Sequence, residues 1–191
     1  MLNSRMQLFV QDLLKSLPAA YSYHNVNHTL SVQHQANAIA QQLGITGRDA
    51  ALIDAAALWH DTGYLITYAG HEEASCGLAR KHLPEFGFSQ QEITAICSMI
   101  MATKLPQAPQ NIGGEILADA DLAYLGTTSA AATAETLFEE LSAIKPGFTR
   151  QQWRTQQLDF ISHHQYFTIP CQEKFEPLKQ VYLAALRKNE G

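Results

Sequence analysis

Apolar residues recur at helical spacing along almost the whole chain, whereas the strict alternation typical of β-strands is scarce. This periodicity predicts an all-α fold in which residues 104–114, rich in proline and glycine, form the longest loop. The predicted helices cover residues 4–17, 28–43, 49–61, 71–83, 89–103, 115–125, 129–144, 149–165 and 171–188. Because no low-complexity linker interrupts the pattern, a single domain over residues 1–191 is expected.

The predicted helix over residues 49–61 is apolar on nearly every side. Asp54 is the only polar residue within residues 50–59. A helix with this composition is expected to lie in the core rather than at the surface. Gly63 follows it and is the predicted stop.

Two of the predicted helix starts carry a capping pattern. Ser89 and Glu92 form a capping box, in which a hydroxyl group and a carboxylate each bind a backbone N–H group of the first turn. Thr46 and Asp49 resemble the same box, with aspartate in place of the usual glutamate. The second pair predicts where the buried central helix begins.

Composition adds that this is a globular protein without a basic surface. Hydrophobic residues make up 46% of the chain, charged residues 16%, and the net charge is -5, which argues against disorder and against nucleic-acid binding. The three cysteines have no CxxC spacing, which suits a reducing compartment rather than a disulfide framework or a cysteine zinc site. No apolar run approaches the length of a membrane span, and the N-terminal stretch lacks a signal-peptide core. We therefore expect a cytoplasmic protein that binds neither nucleic acid nor membrane.

Histidine and aspartate residues collect near the ends of the predicted helices, in the segments YHNVNHT, ALWHDTGYL and LADAD. Mixed imidazole and carboxylate ligands suit a first-row divalent metal such as Mn, Fe, Co, Ni or Zn. If these were ordinary helix-end residues, the buried central helix would hold Asp61 without a charge partner, which is costly. The candidates are His24, His28, His60, Asp61, Asp119 and Asp121.

Each candidate taken alone also has an ordinary structural explanation. His28 is equally compatible with a hydrogen-bonded core histidine, and His60 is favoured at a helix C-terminus by the helix dipole. Asp119 and Asp121 are both common residue types in turns and caps. Other polar groups are predicted to lie on solvated faces. These are Arg80, Lys81, His82, His163 and His164.

Taken together, the motifs resemble the HD superfamily of metal-dependent phosphohydrolases, whose pattern is H…HD…D. The resemblance covers residues 21–125 and implies an HD-domain helical bundle with additional C-terminal helices over residues 126–191. It also implies a metal site, for which we keep Asp119 as the alternative fourth ligand. The implied ligands are His28, His60, Asp61 and Asp121.

The segment YHNVNHT is similar in particular to the YHNxxH motif of cyclic-nucleotide phosphodiesterases. In that branch the first histidine is the general acid and the second binds metal, which implies these roles for His24 and His28. The later segments HEEAS, MATK and LADADLAYLG resemble small bacterial proteins described as predicted HD phosphohydrolases. The chain is much shorter than a phosphodiesterase catalytic domain, and MATK lacks a further histidine found in many two-metal enzymes, which favours one metal.

Three further residues are candidates for supporting roles. His71 is a candidate additional metal ligand, and Glu72 a candidate contact to a metal-bound water, although Glu72 is also favoured by the dipole at a helix start. Lys104 is a candidate phosphate anchor, although it equally fits a solvated lysine at a helix end. Mg²⁺ is the candidate for any second metal site.

The resemblance implies hydrolysis of a phosphomonoester or phosphodiester by metal-activated water. The expected substrate is a small phosphorylated metabolite, in the first place a nucleotide, and a homodimer is left open. In this reading His24, Asp61, Glu72 and Lys104 are the catalytic residues. Two alternatives also remain open, namely an HD-type di-iron oxygenase and a catalytically silent module that senses a nucleotide.

Overall fold

The structure is a computed structural model that describes residues 2–188. Within these residues the chain forms ten α-helices and three short 3-10 helices and contains no strand, which confirms the predicted all-α fold. The α-helices are α1 (Leu2–Leu14), α2 (Val26–Gln42), α3 (Gly47–Trp59), α4 (His71–His82), α5 (Gln90–Met101), α6 (Ile112–Asp121), α7 (Ala130–Ile144), α8 (Arg150–His163), α9 (Ile169–Lys174) and α10 (Glu176–Lys188). The 3-10 helices are Thr62–Leu65, Leu83–Phe86 and Ala123–Gly126.

The contacts divide the described chain into two compact units. The N-terminal unit comprises the residues up to Pro18 and His24–Asp121, and therefore contains α1–α6. The C-terminal unit comprises Ala19–Tyr23 and the chain from Leu122 onward, and contains α7–α10. The single-domain assignment stays a prediction.

Helix α3 lies at the centre of the N-terminal unit, where α1, α2, α4, α5 and α6 all contact it. Every residue from Ile53 to Tyr64 is buried, which confirms the expected burial of the central helix. Asp54, the only polar residue within residues 50–59, accepts hydrogen bonds from Gln33 Nε2 at 2.8 Å and from Asn37 Nδ2 at 2.6 Å. A buried carboxylate is thus satisfied by two amide groups of α2.

One of the two predicted capping boxes is present. Ser89 Oγ accepts from the backbone N–H of Glu92, whose carboxylate accepts from the backbone N–H of Ser89. Thr46 is the residue before α3, but its side chain makes no capping hydrogen bond, so the predicted Thr46–Asp49 box is wrong. The aspartate side chain is one methylene shorter than the glutamate that reaches back in such a box.

Several predicted helix boundaries are corrected by local chemistry. The helix predicted over residues 171–188 is divided at Phe175, because Pro177 lacks an N–H group and is tolerated only in a first turn. Helix α6 begins earlier than predicted, since the Asn111 side chain accepts from the backbone N–H of Gly114 at 2.9 Å and so satisfies a first-turn donor. Gly63 does not stop α3, which ends at Trp59; it lies inside the following 3-10 helix.

Two histidines predicted on solvated faces are partly or fully covered. His82 stacks on Trp59 with ring centroids 5.8 Å apart, so its ring is half-buried. His164 is only 9% exposed, and the buried Lys179 donates a hydrogen bond to its carbonyl oxygen at 2.5 Å. His163 is exposed as predicted. Within the described residues, no helix has both the length and the apolar composition that crossing a membrane requires.

Candidate metal centre

The first candidate ligand, His28, lies in the first turn of α2. Asn25 precedes the helix, and its side chain accepts hydrogen bonds from the backbone N–H groups of Asn27 at 2.8 Å and His28 at 3.4 Å. The cap lets the helix begin at Val26. His24 therefore lies before the helix.

The end of α3 delivers His60 and Asp61 into the buried interior. His60 is fully buried, and its Nδ1 atom lies 2.8 Å from the carbonyl oxygen of Ala57. A carbonyl oxygen only accepts, so Nδ1 carries the proton of this hydrogen bond. In the neutral ring the lone pair is then on Nε2, the tautomer that metal-binding histidines adopt when the other nitrogen donates to a backbone carbonyl.

Four of the predicted ligands converge at this point of the N-terminal unit. His28 Nε2 lies 3.2 Å from Asp61 Oδ2 and 3.1 Å from Asp121 Oδ1. His60 Nε2 lies 3.2 Å and 3.6 Å from the same two oxygens. Donor atoms of His28, His60 and Asp121 all fall within 4.8 Å of one another. Donor atoms about 2.1 Å from a shared ion are about 3.0–3.4 Å apart for octahedral to tetrahedral angles. Three of the four separations fall in this range, and the fourth, at 3.6 Å, is slightly longer.

The cluster combines strongly shifted imidazoles and carboxylates. Burial alone would lower the pKa of His28, but its interactions with Asp121 and Asp61 outweigh burial and raise the pKa to about 9. Burial likewise opposes charge on His60, yet Asp61 and Asp121 raise its pKa well above the usual range. Burial would raise the pKa of Asp61, whereas His60 and His28 hold it well below its ordinary value. The carboxylates are thus ionised, and they stabilise a positive charge at the point where they meet the imidazoles.

A divalent cation would stabilise this group of buried nitrogen and oxygen atoms better than protons alone. His60 Nε2 and Asp61 Oδ2 are buried and have no hydrogen-bond partner among the described residues. Because His60 Nδ1 already faces the Ala57 carbonyl, a metal ion would use the remaining nitrogen lone pair and the carboxylate oxygen together. The residues present therefore fit a divalent metal, although nothing in the geometry selects which one.

His71 and Glu72 lie at the edge of the cluster. His71 begins α4; its Nδ1 is 3.3 Å from the Tyr68 carbonyl oxygen, and its Nε2 is 3.5 Å from Asp61 Oδ1. Glu72 is buried, with Oε2 3.6 Å from His71 Nδ1. Asp61 therefore faces His28 and His60 with one oxygen and His71 with the other. The role predicted for His71 as a further ligand, and that for Glu72, stay predictions.

Lys104 and Asp119 are placed differently from the ligand cluster. The Lys104 side chain is 46% exposed and forms an ion pair with Glu73, which is also exposed. Asp119 is fully buried, two residues before Asp121 on α6, and is not a member of the clustered donor set. Residues two positions apart on a helix point to different sides, which explains why only one of the two aspartates joins the cluster.

Sequence reasoning missed one residue in this region, Tyr64. Its hydroxyl oxygen lies 3.0 Å from His24 Nε2, and its ring stacks on His24 and on His71 with centroids 4.2 Å and 4.0 Å apart. The available signal was its place in HDTGYL, three residues after Asp61 and next to the apolar pair Leu65 and Ile66. A tyrosine in such a run is also a common core residue, so the spacing alone does not identify it.

Comparison with known proteins places this geometry in a family. The family model described as HD domain matches residues 25–123, which include all four clustered residues. The chain belongs to the HD domain family. No curated protein matches the chain. Among solved structures, this HD domain protein is similar to a predicted HD superfamily hydrolase from an uncultured Thermotogales bacterium, with a TM-score of 0.66 and 19% identity over 97% of this chain and 89% of the other. That likeness supports the fold.

Proposed function

We propose that this HD domain protein is a metal-dependent phosphohydrolase that acts on a small phosphorylated metabolite such as a nucleotide. One observation carries the proposal, namely the buried convergence of two imidazole nitrogens and two carboxylate oxygens at 3.1–3.6 Å. His28, His60, Asp61 and Asp121 would hold one divalent transition metal. We further propose Mg²⁺ for any second site beside His71, and a cytoplasmic location; the homodimer stays a prediction.

The metal would lower the pKa of a coordinated water toward neutrality and offset the charge that develops on phosphorus. Asp61 suits the task of orienting that water, because one of its oxygens lies near His28 and the other near His71. Glu72 is buried next to His71 and would accept a proton from the same water. Lys104 would reach the phosphate only after leaving Glu73, because the two residues are paired.

His24 would act as the general acid. Its ring lies beside the cluster, with a centroid 5.8 Å from that of His28. A histidine next to the metal ligands can bind the leaving oxygen and give it a proton. This assignment separates His24 from His28, whose Nε2 faces the two aspartates.

Metal analysis combined with a phosphoester panel tests the proposal. The protein is purified and analysed for bound metals, stripped with a chelator, and then assayed with Mn²⁺, Co²⁺, Ni²⁺, Mg²⁺ or Zn²⁺ added separately. We expect at least one transition metal to restore hydrolysis of a nucleotide or aryl phosphoester. Asp61→Ala should lose bound metal and activity together, because it removes a ligand from the centre of the cluster.

A matched control is Asp159→Ala, since the Asp159 side chain is 77% exposed in the C-terminal unit. This variant should keep the metal content and the activity of the parent protein. The proposal is wrong if the metal-loaded protein hydrolyses no phosphoester. It is also wrong if Asp61→Ala binds metal as tightly as the parent protein does.

A further inference from the structure

Tyr64 occupies a position that the ligand cluster does not explain. It lies in the 3-10 helix Thr62–Leu65, directly after the His60–Asp61 pair, and its side chain is buried. Gly63 N–H donates to Ser75 Oγ at 2.7 Å, which fastens this turn to α4. The turn therefore holds the tyrosine ring against the first residue of that helix.

The Tyr64 ring contacts the rings of both His24 and His71, whose own centroids lie 6.3 Å apart. The stack with His24 has centroids 4.2 Å apart and planes at 30°, and the stack with His71 has centroids 4.0 Å apart and planes at 16°. Tyr68 packs edge-on against both Tyr64 and His24, at 5.1 Å and 6.0 Å. Contacts with two neighbouring aromatic rings restrict rotation of the His24 ring.

The Tyr64 hydroxyl group adds a directional contact to this stack. It lies 3.0 Å from His24 Nε2, within hydrogen-bond distance. A phenol donates to a neutral imidazole nitrogen and accepts from a protonated one. The contact can therefore persist in both protonation states of His24 while the ring keeps one orientation.

We propose that Tyr64 is a positioning residue that engages Nε2 of His24 and so holds the imidazole in the orientation from which its other ring nitrogen, Nδ1, gives its proton to the leaving oxygen. This inference rests on the proposed phosphohydrolase function, and it extends that function to a residue outside the ligand set. The ring of Tyr64 supplies the stacking platform and its hydroxyl group fixes the rotation. Tyr64 acts through His24, without contacting the phosphate.

A double-mutant cycle in the metal-loaded protein tests this role. Tyr64→Phe keeps the ring and removes the hydroxyl group, and we expect turnover of substrates with poor leaving groups to fall about two- to tenfold, the worth of one ordinary hydrogen bond. The loss should shrink for a nitrophenyl ester, whose leaving oxygen needs little protonation. His24→Ala alone should lower turnover about 10²–10⁴-fold, and adding Tyr64→Phe to it should cause no further loss. An equal loss from Tyr64→Phe in both backgrounds would overturn the proposal.

A spectroscopic measurement tests the same contact without activity. In the ¹⁵N spectrum of the imidazole side chains, the Nε2 signal of His24 should shift between the parent protein and Tyr64→Phe, because the substitution removes the hydrogen bond to that atom. Tyr182→Phe is the matched control, because it removes a hydroxyl group that lies 3.3 Å from Gln157 Nε2 in the C-terminal unit; its His24 signals should equal those of the parent protein. Identical His24 signals in the parent protein and Tyr64→Phe would overturn the proposal. If the parent protein hydrolyses no phosphoester, the proposed function fails while this spectrum still decides the Tyr64–His24 contact.

Discussion

Gly63 controls how closely the turn after Asp61 approaches α4. A Cβ atom at this position would lie 1.8 Å from the carbonyl oxygen of His71 and 2.7 Å from the backbone nitrogen of Ser75. These neighbours are backbone atoms, so no side-chain rotation relieves the overlap. The glycine is therefore required for the contact that brings Tyr64 beside His71.

Gly63→Ala should destabilise the protein, because the turn and the start of α4 must separate. We expect a loss of about 1–3 kcal/mol or more, the cost of overpacking a buried contact, measured as a lower thermal unfolding midpoint. Bound metal should also fall if His71 takes part in the site. Gly77→Ala is the control on the same helix, since a Cβ atom there meets nothing within 4 Å, and it should stabilise the helix by about 0.5–1 kcal/mol. Equal midpoints for the two variants would contradict this account.

At the residue scale, the candidate ligands could be named from motifs and the family resemblance that these motifs carry, whereas the contacts that support them could not. The motifs YHNVNHT and HDTGYL contain the histidines and the aspartate within short segments, so their chemistry is visible in the sequence. The supporting contacts join residues that are far apart in the sequence, such as Gly63 N–H with Ser75 Oγ and Tyr64 with His24. Contacts of this kind depend on how helices pack, which no local pattern encodes.

Asp54 links α2 and α3 at the level of whole elements. Asp54→Ala would remove the oxygen that accepts from Gln33 Nε2 and Asn37 Nδ2. A buried donor left without that acceptor costs about 1–3 kcal/mol, so we expect a loss of that size in urea unfolding. Asp54→Asn keeps one acceptor oxygen and should lose less than Asp54→Ala.

Asp49→Ala is the matched control for that prediction. Asp49 lies in the first turn of the same helix but is exposed, so its removal should cost at most about 1 kcal/mol through the helix dipole. If Asp54→Ala were no more destabilising than Asp49→Ala, the amide–carboxylate contact would not hold the two helices together.

At the element scale, helix existence was predictable and several boundaries were not. Long amphipathic periods identify α2 and α7 almost to the residue. The break between α9 and α10 depends on Pro177, a single residue whose ring is compatible with the first turn of one helix and not with the interior of a longer one. The early start of α6 depends on one side chain, Asn111.

At the scale of the whole molecule, each unit buries polar groups as well as an apolar cluster. The C-terminal unit has an apolar cluster around Leu125, Ile161 and Leu183, yet it also buries Lys179 and His164. Lys179 Nζ binds Glu176 Oε2 at 2.9 Å and lies 3.3 Å from His164 Nδ1. Sequence alone could not predict this arrangement, because adjacent His163 and His164 have the same chemistry and opposite exposure.

The buried His164 makes the stability of the C-terminal unit depend on pH. Burial, together with the positive charge of Lys179, lowers the pKa of His164 from 6.5 to about 4. Below pH 6.5 the unfolded chain takes up a proton that the folded state refuses until about pH 4. The stabilising contribution is therefore present above pH 6.5 and is lost as the pH falls to about 4, by at most about 3 kcal/mol.

His164→Gln should flatten this pH dependence. We expect the free energy of unfolding to fall less steeply between pH 7 and pH 4 in the variant than in the parent protein, measured by urea unfolding at several pH values, with hydrogen exchange in α8 and α10 reporting on this unit. His163→Gln is the control, because that side chain is 80% exposed and its replacement should leave the slope as it is in the parent protein. The ligand cluster is the same in all three proteins, so its contribution to the pH dependence cancels when the slopes are compared. Parallel curves for the parent protein and His164→Gln would contradict this account. They would show that His164 accepts its proton in the folded state as readily as in the unfolded chain, although Lys179 Nζ lies 3.3 Å from its Nδ1 atom.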